Sequence, residues 1–356
     1  MTDDRFILAL SEPAFLPAFE YESFRTRYNI DSIPRIPPHG VSDRSSLARA
    51  ISEAVATRAA TGKSPYVAFV WFFDVSAMFS PFDETMLSPL TENGGCRFFS
   101  GGGAGYDDVG VEWMTNQGAY YCNTPTAITV PTANGALMLI LAATRAISQC
   151  DMYTRAGKWR GDASVPGDFV PYGQDIEGLT LGIIGLGSIG KALSVRAQAC
   201  GMKIIYYNRR PVPESEATGA TYVSMDELLA TSDVISVNCP LTPATRHLLG
   251  PAEFDKMKTG VFIVNTARGA IIDEEALVQA LKSGKVARVG LDVFEREPII
   301  HPGLLDPSLA YRVTLQPHTT GRTDRSFLNG ERQILKSLEE FMRGEKPEYA
   351  VNDPKV

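Results

Sequence analysis

Residues 181–190 read Leu181-Gly182-Ile183-Ile184-Gly185-Leu186-Gly187-Ser188-Ile189-Gly190, and this stretch decides the fold. It is a Gly-x-Gly-x-x-Gly motif that follows a strand-type apolar run and precedes a helix-type run at residues 191–200. Gly185 permits a tight turn, Gly187 lets backbone N–H groups approach a pyrophosphate, and Gly190 allows close helix packing. An ordinary glycine turn is the competing interpretation, but the strand and helix context favours a dinucleotide site.

Strand-type runs alternate with helix-type runs over the rest of the chain. The predicted strands cover residues 181–184, 203–207, 234–238, 261–265, 288–292 and 312–315. This alternation predicts an α/β fold with a parallel sheet covered by helices on both faces. A long apolar stretch at residues 131–149 predicts one buried helix ahead of this sheet.

The first hundred residues predict a second, smaller α/β unit. Strand-type runs at residues 4–10 and 66–73 flank a polar helix-type stretch at residues 43–58. A dense glycine turn follows at residues 100–107, which we expect to join a strand to a helix. At 356 residues the chain is long enough for two separate cores.

The composition excludes several classes of function. The net charge of -7 argues against a nucleic-acid partner, and no apolar run is expected to reach the roughly 20 residues of a membrane span. The first five residues, Met1 to Arg5, lack the pattern of a secretory signal. The five cysteines are scattered and odd in number, so we expect no disulfide framework, no metal site and a reducing, cytoplasmic location.

The residues after the second predicted strand bear on cofactor choice. NAD-preferring proteins usually place a carboxylate there against the ribose hydroxyl groups, whereas this chain has Asn208-Arg209-Arg210. A neutral amide tolerates a 2′-phosphate, and guanidinium groups bind phosphate by charge-assisted hydrogen bonds. NADPH is therefore the predicted cofactor, with NADH possible. The alternative is that the arginines are solvated surface charges.

Three chemically suitable side chains follow later predicted strands: Arg268, Glu297 and His318. In an open parallel sheet, ligands bind beyond the carboxyl ends of the strands, so these side chains are expected to converge. Taken singly, each is as well explained as a surface charge, a solvated glutamate or a satisfied polar histidine. His39, His247 and His301 lack such a setting and are not expected to be catalytic.

The motifs around these residues resemble one family. They are GAGYD at 103–107, GLGSIG at 185–190, CPLTPATRHLL at 239–249, NTARGAIIDEEAL at 265–277, LDVFEREP at 291–298 and PH at 317–318. Across residues 101–341 the chain resembles the D-isomer-specific 2-hydroxyacid dehydrogenases, especially glyoxylate and hydroxypyruvate reductases and D-mandelate dehydrogenases.

The resemblance implies two Rossmann-like domains with doubly wound parallel sheets. The cofactor domain, residues 123–319, would be inserted in a flavodoxin-like substrate domain made of residues 1–122 and 320–356. The implied reaction is the NADPH-dependent reduction of a 2-oxo acid to the D-2-hydroxy acid. Arg268 would bind the carboxylate and polarise the ketone, His318 would protonate the carbonyl oxygen, and Glu297 would orient His318 and favour its charged form.

Cofactor contacts follow from the glycine motif and from the resemblance. They are Gly185, Leu186, Gly187, Ser188, Ile189, Gly190, Asn208, Arg209, Arg210, Cys239, Pro240, Thr245, Thr266, Ala267, Arg268, Asp292, His318 and Gly321. Asp292 is expected to accept from the nicotinamide carboxamide, or else to act as a strand-end cap. In related proteins a glycine stands where this chain has Thr320, and this departure puts the carboxamide contact in question.

Substrate contacts are expected at Phe72, Ala104, Gly105, Arg268 and His318. The amides of Ala104 and Gly105 would hold the carboxylate, and the bulky apolar run at residues 70–73 indicates an aromatic or branched 2-oxo acid. Core packing explains the same run equally well.

Residues 157–160 resemble the arm around which such proteins form homodimers, although Trp159 could instead pack within its own chain. Two other functions stay open. One is a nucleotide-sensing corepressor, which would share the fold and the three catalytic-type residues. The other is formate oxidation, which would not normally carry Glu297 in this motif.

Overall fold

The computed structural model describes residues 5–34, 40–72, 76–92, 95–159 and 173–355. The chain forms two compact units. Unit 1 comprises Met1–Ile128 and Arg322–Val356, and unit 2 comprises Thr129–Gly321. The α/β class with two parallel sheets is confirmed.

Unit 1 is built on a five-stranded parallel sheet. Its strands are β1 (Phe6–Leu10), β2 (Asn29–Ile33), β3 (Tyr66–Trp71), β4 (Phe98–Gly101) and β5 (Tyr120–Cys122). They lie in the order β2-β1-β3-β4-β5. The strand-type runs at residues 4–10 and 66–73 correspond to β1 and β3, whereas β2 carries alternating polar residues and was not predicted.

Helices cover this sheet. They are α1 (Ala18–Arg25), α2 (Arg44–Ala60), α3 (Ser76–Phe79), α4 (Glu84–Thr91), α5 (Val111–Asn116) and the C-terminal α12 (Asp324–Met342). The predicted helix at residues 43–58 is α2, which begins where the Asp43 side chain accepts from the Ser46 amide at 2.8 Å. The helix α12 returns to unit 1 and packs Ile334 and Leu338 into its core.

The aromatic run at the end of β3 belongs to the core of unit 1. Phe72 is 3% exposed and lies edge-on to Tyr21. Trp71 stacks on Phe82 with ring centroids 4.2 Å apart. A side chain at Gly101 would place its Cβ 2.2 Å from the Trp71 ring, so glycine there makes room for the indole. Core packing therefore describes residues 70–72, and the bulk of these three side chains carries no information on substrate size. Phe73 lies outside the described residues.

Unit 2 is built on a seven-stranded parallel sheet. Its strands are β6 (Thr180–Ile184), β7 (Lys203–Tyr207), β8 (Thr221–Tyr222), β9 (Val234–Val237), β10 (Val261–Asn265), β11 (Val286–Leu291) and β12 (Val313–Leu315). They lie in the order β12-β11-β10-β9-β6-β7-β8. All six predicted strands are present, and only the short, exposed β8 was missed.

The helices that begin within unit 2 are α7 (Ile147–Arg155), α8 (Ser188–Ala199), α9 (Met225–Thr231), α10 (Pro251–Lys256) and α11 (Glu274–Ser283). Most of α6 (Pro125–Thr144) also belongs to this unit, where it shares one core cluster with α8, while α9, α10 and α11 line another. The prediction of one helix at residues 131–149 was wrong, because Ala146 takes a left-handed conformation (φ 52°) that separates α6 from α7.

The helix α6 is long and apolar enough, by length and composition, to cross a membrane. The expectation that no apolar run reaches that length was therefore wrong. Half of its most apolar window is buried, and Ala133, Leu139 and Ile140 are fully buried in the core beneath β6 and β10.

Candidate active site

The glycine turn after β6 has the geometry that its spacing predicted. Gly185 has φ 103°, and a Cβ there would lie 2.6 Å from the Cys239 backbone nitrogen. A Cβ at Gly190 would lie 2.4 Å from the Gly185 carbonyl oxygen, so glycine lets α8 approach the turn. A Cβ at Gly187 would meet no heavy atom within 4 Å. The turn is thus tightly packed at both ends and open in the middle, where a ligand could approach the backbone.

The residues after β7 lie next to this turn. The Leu186 amide donates to the Asn208 side-chain oxygen at 2.8 Å, so Asn208 buttresses the glycine turn. Arg209 and Arg210 are exposed. Within the described part of the chain neither guanidinium has a hydrogen bond or ion pair. Both are available to bind an anion.

Two buried polar atoms at the same edge of the sheet have no hydrogen-bond partner within the described residues. They are Asn238 Nδ2, after β9, and Thr266 Oγ1, after β10. A buried donor or hydroxyl without a partner is costly, which points to a polar ligand that satisfies it. Together with the open Gly187 and the free arginines, these atoms fit a nicotinamide dinucleotide. Asn238 was missed from sequence, although a polar amide directly after an apolar strand is a usable signal.

The loop after Asn238 contains three of the expected cofactor contacts. The Thr245 hydroxyl donates to the Pro240 carbonyl at 2.7 Å and accepts from the Thr242 amide at 2.8 Å, so it shapes the loop. Burial raises the pKa of the Cys239 thiol to about 11, which keeps the thiol neutral. Ser188 and Ile189 begin α8.

Arg268 lies in a turn organised by Asn265, the buried last residue of β10. Asn265 Nδ2 donates to the Arg268 carbonyl at 2.9 Å, and its Oδ1 accepts from the Ala267 amide at 3.0 Å. A Cβ at Gly269 would lie 1.9 Å from the Phe294 carbonyl carbon. Glycine at this position therefore brings the Arg268 turn against the loop after β11. The role of Asn265 was not predicted.

That loop carries Glu297, which pairs with His318 after β12. His318 Nδ1 donates to Glu297 Oε2 at 2.8 Å, and the Phe294 amide donates to Glu297 Oε1 at 2.9 Å. The His318 and Glu297 side chains are 47% and 32% exposed. No hydrogen bond to Nε2 of His318 occurs within the described chain, so this nitrogen is free to meet a substrate.

The pKa of Glu297 reports what surrounds it. Burial acts to raise this pKa, but the hydrogen bond and charge of His318, the Phe294 amide and the Arg268 charge together hold it below the ordinary value. Glu297 is therefore ionised, with the Arg268 guanidinium and the His318 imidazole near it. The sequence-based expectation that Arg268, Glu297 and His318 converge agrees with this placement.

Asp292 directly follows β11 and is 1% exposed. Its carboxylate accepts from the Thr319 amide at 2.7 Å, from the Thr320 amide at 3.2 Å and from the Thr320 hydroxyl. Burial raises the pKa of Asp292 above the ordinary value, although these bonds and the nearby His318 work against it. Gly321 follows Thr320 and ends unit 2.

The glycine turn of unit 1 presents free backbone donors. Asn123 Nδ2 donates to the Ala104 carbonyl at 2.8 Å, and the Gly103 amide donates to Thr124 Oγ1 at 2.8 Å. The amides of Ala104 and Gly105 have no acceptor within the described residues. Such amides can bind an anion.

The remaining expectations concern isolated residues. His247 pairs with Glu295 at 2.9 Å, and His301 lies 3.3 Å from Glu275. Trp159 is 70% exposed in the described structure. His39 and Arg160 lie outside the described residues.

Comparisons with known proteins identify similar sequences and structures. The family model for the D-isomer specific 2-hydroxyacid dehydrogenase NAD binding domain matches residues 137–320. A 4-methyl-2-oxopentanoate reductase A of Aspergillus oryzae is 44% identical over 72% of this chain and 75% of its own length. A glyoxylate reductase structure from Paecilomyes thermophila has a TM-score of 0.85 at 35% identity over 99% of both chains. The holo D-mandelate dehydrogenase of Rhodotorula graminis has a TM-score of 0.86 at 27% identity over 100% of this chain and 99% of that one.

Proposed function

This chain belongs to the D-isomer-specific 2-hydroxyacid dehydrogenase family, and from that premise we propose that it reduces a 2-oxo acid to the D-2-hydroxy acid with NADPH as hydride donor. It is an oxidoreductase with an NAD-binding Rossmann domain. The observation that carries the finer proposal is the His318–Glu297 pair beside Arg268, with Nε2 of the imidazole left free.

The chemistry of the three side chains accounts for the reduction. Bound at the carboxyl edge of the unit 2 sheet, the dihydronicotinamide supplies the hydride. Arg268 binds the substrate carboxylate and polarises the ketone, because a planar guanidinium offers several donors. His318 gives a proton from Nε2 to the carbonyl oxygen as negative charge develops there. Glu297 holds Nδ1, which aims Nε2 and stabilises the imidazolium.

The cofactor would be held by groups that have no other partner. The open backbone at Gly187, with the N-terminus of α8 behind it, suits a pyrophosphate. Asn238 Nδ2 and Thr266 Oγ1 would gain hydrogen bonds near the nicotinamide riboside. Arg209 and Arg210 would bind the 2′-phosphate, and neutral Asn208 would not repel it. These features support NADPH over NADH.

The substrate class rests on a shared chemical group. The relatives are named for reductases of 4-methyl-2-oxopentanoate and glyoxylate and for a D-mandelate dehydrogenase. Each of these names refers to a 2-oxo acid or its 2-hydroxy product, which the Arg268 and His318 chemistry fits. We also propose a homodimer in a reducing compartment, in line with cysteines that are all free in the described chain and with exposed Trp159.

A substrate panel tests the proposal. NADPH and NADH oxidation are followed with glyoxylate, hydroxypyruvate, 4-methyl-2-oxopentanoate, phenylglyoxylate and phenylpyruvate. We expect turnover of at least one acid, a D product from any acid other than glyoxylate, whose product is achiral, and a higher kcat/KM with NADPH. Nucleotide binding without turnover of any 2-oxo acid would overturn the proposal and favour a nucleotide sensor.

Cofactor choice has its own test. The double variant Arg209→Gln/Arg210→Gln should raise the KM for NADPH about tenfold or more while leaving that for NADH little changed, since charge-assisted hydrogen bonds to the phosphate are lost. Arg155→Gln, which removes an exposed arginine paired with Asp151, is the matched control. Equal increases in the KM for NADPH and for NADH would contradict the proposal that Arg209 and Arg210 bind the 2′-phosphate.

A further inference from the structure

The backbone that carries His318 is held by one aspartate. His318 has φ 56°, a left-handed conformation that favours glycine. Its amide donates to the Asp292 carbonyl at 2.8 Å. The next two amides, of Thr319 and Thr320, donate to the Asp292 carboxylate. Three successive N–H groups after β12 therefore end on a single residue, so the position of the imidazole depends on Asp292.

The Asp292 carboxylate is held by three donors of this turn. Oδ1 accepts from the Thr319 amide at 2.7 Å, and Oδ2 accepts from the Thr320 hydroxyl. The Thr320 amide is shared between the two oxygens, at 3.2 Å from each. The side chain is buried, with 1% exposure, so these bonds fix it within the turn.

The Thr320 side chain fits because of a glycine far away in sequence. A Cβ at Gly135 of α6 would lie 2.4 Å from Thr320 Cβ and 2.6 Å from Thr320 Cγ2. The threonine methyl thus occupies the space that Gly135 leaves on the helix, and this contact turns the hydroxyl toward Asp292. Thr320 is buried, with 8% exposure.

We propose that Thr320 is a positioning residue for His318: the Thr320 hydroxyl binds the Asp292 carboxylate and so holds Asp292 as the anchor of the 318–320 turn. The inference rests on the proposed function for the role of His318, but the anchoring itself does not. The family resemblance implies a glycine at position 320, which would have no hydroxyl to supply this bond.

The anchoring is tested without any substrate. Hydrogen–deuterium exchange of the segment around residues 316–322 is compared in the full-length wild type, Thr320→Val and Thr320→Ser. We expect faster exchange in the valine variant, which keeps the shape and loses the hydroxyl, and wild-type protection in the serine variant. Thr314→Val is the matched control, since the Thr314 hydroxyl meets Ser148 Oγ at 2.8 Å. Equal protection in all four proteins would overturn the proposal.

The consequence for catalysis is tested by separating kcat from KM. Thr320→Val should lower kcat about tenfold or more, the value of a hydrogen bond to a charged group, with the KM for the 2-oxo acid little changed. Thr320→Ser should restore most of the rate, which a merely structural loss of the methyl contact would not do. A valine variant with wild-type kcat would contradict positioning. A wild type without turnover but with the exchange pattern above would reject the proposed function alone.

Discussion

Two of the histidine–glutamate pairs in the described part of unit 2 look alike by most local measures. His318 lies 2.8 Å from Glu297, and His247 lies 2.9 Å from Glu295. Both histidines have positive φ, 56° and 50°, and their side chains are 47% and 41% exposed. Both glutamates belong to the loop after β11, and each has an arginine nearby, Arg268 in one case and Arg246 in the other.

The difference lies in the ring nitrogen and in the backbone. Glu297 engages Nδ1 of His318 and leaves Nε2 free, whereas Glu295 engages Nε2 of His247. His318 follows a strand end and is anchored to Asp292, while the His247 amide donates to the Ala270 carbonyl in a loop. The two pairs therefore differ in the feature on which the proposed proton transfer depends, a free outer nitrogen at the carboxyl edge of the sheet.

The largest expected effect separates the two histidines. His318→Asn should lower kcat for 2-oxo acid reduction by about 10²- to 10⁴-fold, since a positioned acid contributes that much. His247→Asn is the matched control and should retain nearly wild-type kcat. Steady-state kinetics at saturating NADPH measure both. Comparable losses of kcat in the two variants would contradict the distinction between the two histidines.

The next effect acts on the loop that both glutamates share. Gly269→Ala would place a Cβ 1.9 Å from the Phe294 carbonyl carbon, so the backbone must shift. We expect about 1–3 kcal/mol lower unfolding free energy, the usual cost of overpacking, together with reduced kcat. Gly250→Ala is the matched control, because a Cβ at Gly250 would meet no atom closer than 3.6 Å. Gly284→Ala is unsuitable, because Gly284 has φ 79°. Urea denaturation measures the unfolding free energy of both variants. A Gly269→Ala variant with wild-type stability would contradict the close packing.

A third effect is a shift of pH dependence. Glu297→Gln removes the negative charge that His318 Nδ1 faces, so the alkaline limb of the reduction rate should move to lower pH. Glu295→Gln should leave that limb in place. Because the pKa of Glu297 lies below its ordinary 4.5, the ionised Glu297 contributes stability that is fully present above pH 4.5 and is lost as the pH falls through the lowered pKa. Rate profiles that coincide for wild type and Glu297→Gln would argue against the orienting role.

The smallest effect is expected for stability at the second pair. His247→Asn and Glu295→Gln should change the unfolding free energy by no more than about 0.5 kcal/mol, because an exposed ion pair contributes little. Thermal unfolding monitored by circular dichroism measures this. A melting temperature lower by several degrees would show that the His247–Glu295 pair has a structural role. That result would sharpen the contrast with His318.

Much of the fold could be predicted because its signals are local. The strands β7 and β10 occur at the residues predicted for them, since apolar runs bounded by turn residues have little alternative in a two-faced parallel sheet. The roles of Gly185 and Gly190 follow from steric demands within a few residues of each. The break between α6 and α7 was missed because a left-handed alanine leaves no mark in the composition.

The sequence alone determined the α/β class, the glycine turn after β6, the arginines after β7 and the three side chains that follow β10, β11 and β12. Only the tertiary structure decided which histidine nitrogen is free, that Phe72 is a core residue, and that Gly135 makes room for Thr320 beside Asp292. The reason is physical: motifs and periodicity act between near neighbours along the chain, whereas these contacts depend on strand order and helix packing, which join residues distant in sequence.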